Sequence, residues 1–127
     1  MKAILFTNNP QVKEYYDDQM EVRFVDGGLL DVLLHVRDTI HQGHQLLSHP
    51  LTGSVKPNET PFKSVLVTAS SSSVDMEGLN LIEQSIGTTK KLLNDAVPKN
   101  WVQSVLDDFM LIDFNLIKSG IESMTQF

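Results

Sequence analysis

The sequence predicts a single three-layer α/β domain with a mostly parallel sheet of about four strands, flanking helices and a long C-terminal helix. Short runs such as Ala3-Ile4-Leu5-Phe6 and Val65-Leu66-Val67 are continuously apolar, the pattern of strands covered on both faces, so helices must lie on either side of them. Two longer stretches, one carrying Leu29, Leu33, Val36 and Ile40 and the other Leu79, Ile82, Ile86 and Leu93, repeat at helical spacing. The 127 residues, 41% hydrophobic and 20% charged, suit one domain with its own core and no need of a disulfide or metal to hold it.

Each element has its own signal. Ala3 to Phe6 is the first strand; Asn9 then offers an N-cap and Pro10 a first helical position, with Val12, Tyr15 and Tyr16 on one stripe of a short helix. Glu21 to Val25 alternates polar with apolar, as a peripheral strand with one wet face does. Asp26-Gly27-Gly28 breaks that strand and leads into the helix that starts at Leu29. Gly43 is placed for a left-handed cap and His41 for the last turn, so the helix ends at about residue 42. Gln45 to Ser48 reads as a short third strand and Ser64 to Thr68 as a fourth. The order 2-1-3-4 or 2-1-4-3 and the direction of the fourth strand stay open.

Between those two strands lies a long loop, His49 to Phe62, in which Pro50, Gly53, Pro57 and Pro61 interrupt any helix or ladder. Ser70 to Ser73 turns into a third helix with Asp75 and Glu77 in its favourable first turn. The last helix, about 98–125, is apolar almost all round from Phe109 to Ile117 and must be buried, either in the core or against a second copy of the chain. A homodimer is therefore expected.

Sixteen acids against ten bases give a net charge of −6, which repels phosphate backbones and anionic membranes, so nucleic acid and membrane are not expected partners. No run approaches the ~18 apolar residues of a membrane span, and the short apolar start is no signal peptide, so a cytoplasmic location is expected. The absence of cysteine excludes a thiol nucleophile and thiolate metal ligands. The histidines at 35, 41, 44 and 49 are close in sequence, but His41 and His44 straddle the break at Gly43 and His35 lies on another helical face, so no metal site is expected. No glycine-rich phosphate loop and no nucleophile elbow is present, and no cofactor is implied.

Ligands of open α/β sheets bind outside the carboxyl ends of the strands, and three loops have that address: Thr7 to Pro10, His49 to Pro61, and Thr68 to Ser73. The ligand-binding candidates are Asn8 and Asn9, His44 and His49, and the loop residues Ser54, Lys56, Asn58, Glu59 and Thr60, with Lys63 beside them. Prolines that pin the loop lower the entropy lost when it presents donors to an anion, whereas the plain reading is a solvated loop and a serine turn. The functional reading places His49 and Lys56 in one ligand-sized pocket near Asn8. A small enzyme with His49 as acid or base and Lys56 holding an anionic or amino-acid-derived substrate is one alternative, and a purely structural oligomer whose C-terminal helix makes the interface is another.

The blocks Thr7-Asn8-Asn9-Pro10, Val36-Arg37-Asp38, Ile40-His41-Gln42-Gly43-His44 and, most specifically, Leu47-Ser48-His49-Pro50-Leu51-Thr52-Gly53-Ser54-Val55-Lys56-Pro57-Asn58-Glu59-Thr60-Pro61 resemble the GrdX family. The resemblance covers roughly residues 1 to 93, and no matching motif is seen from Pro98 onward. It implies a cytoplasmic accessory protein of the glycine, sarcosine and betaine reductase systems of anaerobic bacteria. The partner is then a small anionic or zwitterionic metabolite or a reductase component. The resemblance carries over no catalytic residue.

Overall fold

The computed structural model describes residues 2–51, 55–95 and 100–125. Its elements in chain order are β1 (Ala3–Thr7), α1 (Pro10–Tyr16), β2 (Glu21–Phe24), α2 (Leu29–His41), β3 (Ser64–Thr68), α3 (Met76–Asp95) and α4 (Gln103–Thr125). The sheet has three strands in the order β2-β1-β3. β1 runs parallel to β2, with Leu5 opposite Val22, and antiparallel to β3, with Leu5 opposite Leu66. The expected sheet of about four mostly parallel strands is thus corrected to a three-stranded mixed one.

The expected third strand, Gln45 to Ser48, is reduced to one antiparallel bridge between Leu46 and Val67 beyond the β3 edge. Side chains cut the ladder short at both ends. The Leu66 N–H donates to Ser48 Oγ at 2.8 Å, and the Thr68 carbonyl is taken by His44 Nδ1 at 2.7 Å. Local Ser, Thr and His groups that compete for ladder positions in this way end strands early. The neighbour relations are those of the order 2-1-4-3.

Alternation along the strands sorts the core onto two faces. Ile4, Phe6, Val65 and Val67 pack against Leu33, Val36 and Ile40 of α2 and Ile82 and Ile86 of α3. Leu5 and Leu66 face the other way, against Val12 and Tyr16 of α1 and Ile117 of α4. Ile4 to Thr7 are all buried, as a central strand requires, whereas in β2 only Val22 is even half-buried. At the end of α2, Gly43 takes φ +103°, the left-handed conformation expected of the cap. Asp75, just before α3, accepts from the Gly78 N–H at 3.0 Å, while Ser70 to Ser73 stay exposed.

The C-terminal helix departs from its expected burial. It is described from Gln103, Pro98 lying outside the described residues, and Asp113 and Ile117 are its buried positions. Leu111, Ile112 and Leu116 face outward at 51%, 40% and 39% exposure. No helix is long and apolar enough to cross a membrane among the described residues.

Candidate functional site

Where β1 ends, the apolar face toward α4 gives way to hydroxyls, because Thr7 stands opposite Ser64 in the β1–β3 register. Both are buried, and their hydroxyl oxygens lie 2.7 Å apart. Ser64 Oγ donates its one proton to Asp113 Oδ2 at 2.8 Å, so Thr7 must be the donor to Ser64. Thr7 Oγ1 in turn accepts from the Asn9 N–H at 3.0 Å. A directed chain therefore runs from the Asn9 backbone through two hydroxyls to one buried carboxylate.

Asn9, fully buried, closes the network. Its Oδ1 accepts from the Gln11 N–H at 3.0 Å as the N-cap of α1, and its Nδ2 donates to Asp113 Oδ2 at 3.0 Å and to the Met110 carbonyl at 2.8 Å. One amide thus joins α1 to α4, and the backbone N–H of the same residue bonds to Thr7 of β1. Asn8 acts as a second staple: its Nδ2 donates to the carbonyls of Gly27 (3.0 Å) and Pro61 (2.7 Å), and its Oδ1 accepts from the Lys63 N–H at 2.9 Å. Both amide hydrogens are used, so Asn8 and Asn9 position the loop and the helix around the site and have no amide donor to spare.

Lys63, at the entrance to β3, is 7% exposed and Asp113 is 6% exposed. Among the described residues the Lys63 ammonium has no hydrogen-bond or ion-pair partner within 4.0 Å. Burial lowers the Lys63 pKa from its ordinary 10.5, with the Asp113 charge opposing. Burial likewise raises the Asp113 pKa from its ordinary 3.8, against the Asn9 and Ser64 hydrogen bonds and the Lys63 charge. The two line one small cavity of about 20 Å³, together with Thr60, Leu51, Phe109 and Ile112. That is room for about one water. Side-chain donors converge on Asp113 Oδ2, and the carboxylate keeps acceptor capacity on Oδ1.

The other expected residues are distributed. Thr60 lines the cavity beside Lys63, its Oγ1 accepting from the Phe62 N–H at 3.2 Å and donating to the Phe62 carbonyl at 3.4 Å. Asn58, Glu59 and Thr60 also face the start of α2 across a groove of about 460 Å³, where Trp101 Nε1 donates to the Glu59 carbonyl at 2.7 Å. Asn58 Oδ1 is buried there without a hydrogen-bond partner among the described residues. Lys56 is exposed and its carbonyl accepts from the N–H groups of Glu59 and Thr60. Ser54 lies outside the described residues. His44, half-buried, must donate from Nδ1 to the Thr68 carbonyl, which places it at the far end of β3 from Ser64.

His49 is exposed and its Nδ1 accepts from the Leu51 N–H at 3.0 Å. It lines an open cleft with Ser48, Asp75 and Gln84 that includes neither Lys56 nor Asn8. Because β3 runs antiparallel to β1, Thr68 to Ser73 leave from the opposite end of the sheet, and the segment that meets Asn8 is Pro61 to Ser64. Among the described residues no group of three or more His, Asp or Glu could hold a metal ion.

The chain matches the GrdX-like protein family over residues 4–122. It belongs to that family. The match runs well past residue 93 and takes in most of α4, so the helix that supplies Asp113 is part of the family's domain. No curated protein matches the chain, and no solved structure does.

Sequence reasoning grouped Lys63 with the loop charges and passed over Asp113. The only signal for Asp113 was a single acid in the apolar run Met110 to Ile117, on the side of the helix that is buried. A buried acid on an apolar stripe is rare enough to mark a partner.

Proposed function

We propose that this chain is a non-catalytic accessory protein of a glycine-, sarcosine- or betaine-reductase system in the cytoplasm. In this reading it holds a small anionic or zwitterionic metabolite, or docks a reductase component, at the face formed by residues 57–63 and α4. Membership of the GrdX-like family supports the association with such a system. The observation that carries the binding role is the Lys63 ammonium, buried at a cavity wall without a partner among the described residues. Proteins rarely bury a lysine without a paired charge, so an occupant of complementary charge is the economical explanation.

In this reading Thr60 contributes a hydroxyl to the occupant, while Lys56 and Glu59 form an exposed rim that a reductase component could touch. Asn8 and Asn9 set the loop and α4 at the right separation. The decisive experiment is native mass spectrometry of the gently purified chain, alone and mixed with purified reductase components. A retained low-mass species or a stoichiometric complex is expected, and a bare chain in both samples would refute the reading.

A further inference from the structure

The cavity beside α4 contains both signs of charge. Lys63 and Asp113 line the same cavity, both more than nine-tenths buried, and no ion pair within 4.0 Å joins them. Two buried opposite charges that face one space without pairing each lack part of their compensation. Asp113 receives some from Asn9 and Ser64 on Oδ2, whereas Lys63 receives no hydrogen bond among the described residues and only the attraction of Asp113.

A lone anion in this space would be drawn by Lys63 and repelled by Asp113, and a lone cation would meet the reverse. A molecule carrying both charges a few bonds apart satisfies both walls. We propose that the cavity is a binding site for a small α-amino-acid zwitterion, its carboxylate held by the Lys63 ammonium and by Thr60 Oγ1, which exchanges its long 3.4 Å bond to the Phe62 carbonyl for the ligand, and its ammonium by Asp113 Oδ1. The inference rests on the binding role proposed above and commits it to one ligand class.

The walls set the size. Leu51, Phe109 and Ile112 offer no polar partner for a further functional group, so the ligand has little or no side chain. The closed volume of about 20 Å³ is less than even a small amino acid needs, so entry requires the mouth to widen. Ile112 and Leu116 line the cavity and are 40% and 39% exposed, so they border it on its solvent side, where side-chain rotation can widen it without moving the sheet.

Calorimetry on the full chain with glycine, acetate and methylamine as probes separates the possibilities. Glycine is expected to bind at least tenfold more tightly than acetate or methylamine, each of which supplies half of the charge pattern. Lys63→Met, which keeps the length and apolar stem of the side chain, should weaken glycine binding at least tenfold, and Thr60→Val severalfold. If Lys63→Met fails to fold, Thr60→Val and the probe comparison on the native sequence still decide the matter. Acetate binding as tightly as glycine, or glycine binding unchanged in Lys63→Met or Thr60→Val, would overturn the zwitterion assignment. No binding of any probe would overturn it too; native mass spectra that still showed a different retained species or a reductase complex would then leave the broader accessory role standing.

Discussion

Asn9→Ala removes the side chain that ties the start of α1 to α4, and a lower bound on its cost can be assembled from two of the three bonds it deletes, the third being that to the Met110 carbonyl. The N-cap bond to the Gln11 N–H is lost, at about 1 kcal/mol for helix α1. The bond from Nδ2 to Asp113 is made to a charged acceptor, so its loss adds about 2 kcal/mol, since the carboxylate stays buried with one donor fewer. Asn9 is fully buried, so water cannot freely replace either group. The sum, about 3 kcal/mol, is a large fraction of the stability of a domain this size.

In urea, with a slope of about 1.5 kcal/mol per molar, the Asn9→Ala midpoint should fall by about 2 M with the slope unchanged. A loss below about 1 kcal/mol would refute the claim that this amide ties α1 to α4. Asn9→Asp serves as the companion variant. It keeps the cap acceptor but sets a second carboxylate against Asp113, so its deficit should be smallest in acid and grow as the pH rises and both groups ionise.

Three further outcomes follow from other parts of the molecule. Because burial raises the Asp113 pKa in the fold, its contribution to stability is fully present below the unfolded value of 3.8 and is lost as the pH rises through the folded one. Asp113→Asn lacks that loss, so the stability difference between it and the native chain should shift in favour of the variant as the pH climbs from 3.8, read from paired urea titrations; a difference independent of pH would contradict the shift. Gly43→Ala forces a side chain into φ +103° and drives its Cβ into the Ser72 carbonyl oxygen, so a loss of at least ~2 kcal/mol in thermal or urea unfolding is expected. The exposed apolar face of α4 should make the chain dimeric in light scattering at tens of micromolar, with Leu111→Asp shifting it to monomer; a monomeric native chain would refute this.

Much of the fold was legible because local and global signals agree. The doubly apolar run at Ala3–Phe6 became the central strand, the alternating run at Glu21–Phe24 the sheet edge, and Gly43 the left-handed cap. What failed to show in the sequence depends on contacts between distant residues. The Gln45–Ser48 strand was lost to competition from Ser48 Oγ and the His44 ring, whose targets on Leu66 and Thr68 lie about twenty residues away. The antiparallel course of β3 carries no compositional mark, and it moves the serine turn to the wrong end of the sheet for a shared pocket. The apolar α4 spends its inward side on Asp113 and Ile117 and leaves Leu111 and Leu116 outside. Lys63 and Asp113 meet across fifty positions of chain with no spacing to announce them.

The two buried charges have different standing in the fold, and the difference bears on why they are there. Asp113 is built into the structure: Asn9 and Ser64 both donate to it, so removing it strands two buried donors. Lys63 supports nothing comparable, since only its backbone serves Asn8. For its ammonium the desolvation outweighs the attraction of Asp113, which is what the lowered pKa expresses. The stability associated with Lys63 is then fully present above 10.5 and lost as the pH falls through the folded value, so at neutral pH the charge is a net burden on folding. Lys63→Met, apolar and of similar length, should therefore leave the protein at least as stable as the native chain near neutrality, with any advantage shrinking as the pH approaches 10.5. Urea titrations at the two pH values measure this directly, and a variant clearly less stable than the native chain at neutral pH would show that Lys63 is framework. A residue that the fold would be no worse without, kept at a cavity wall beside an acid, is explained by what it binds.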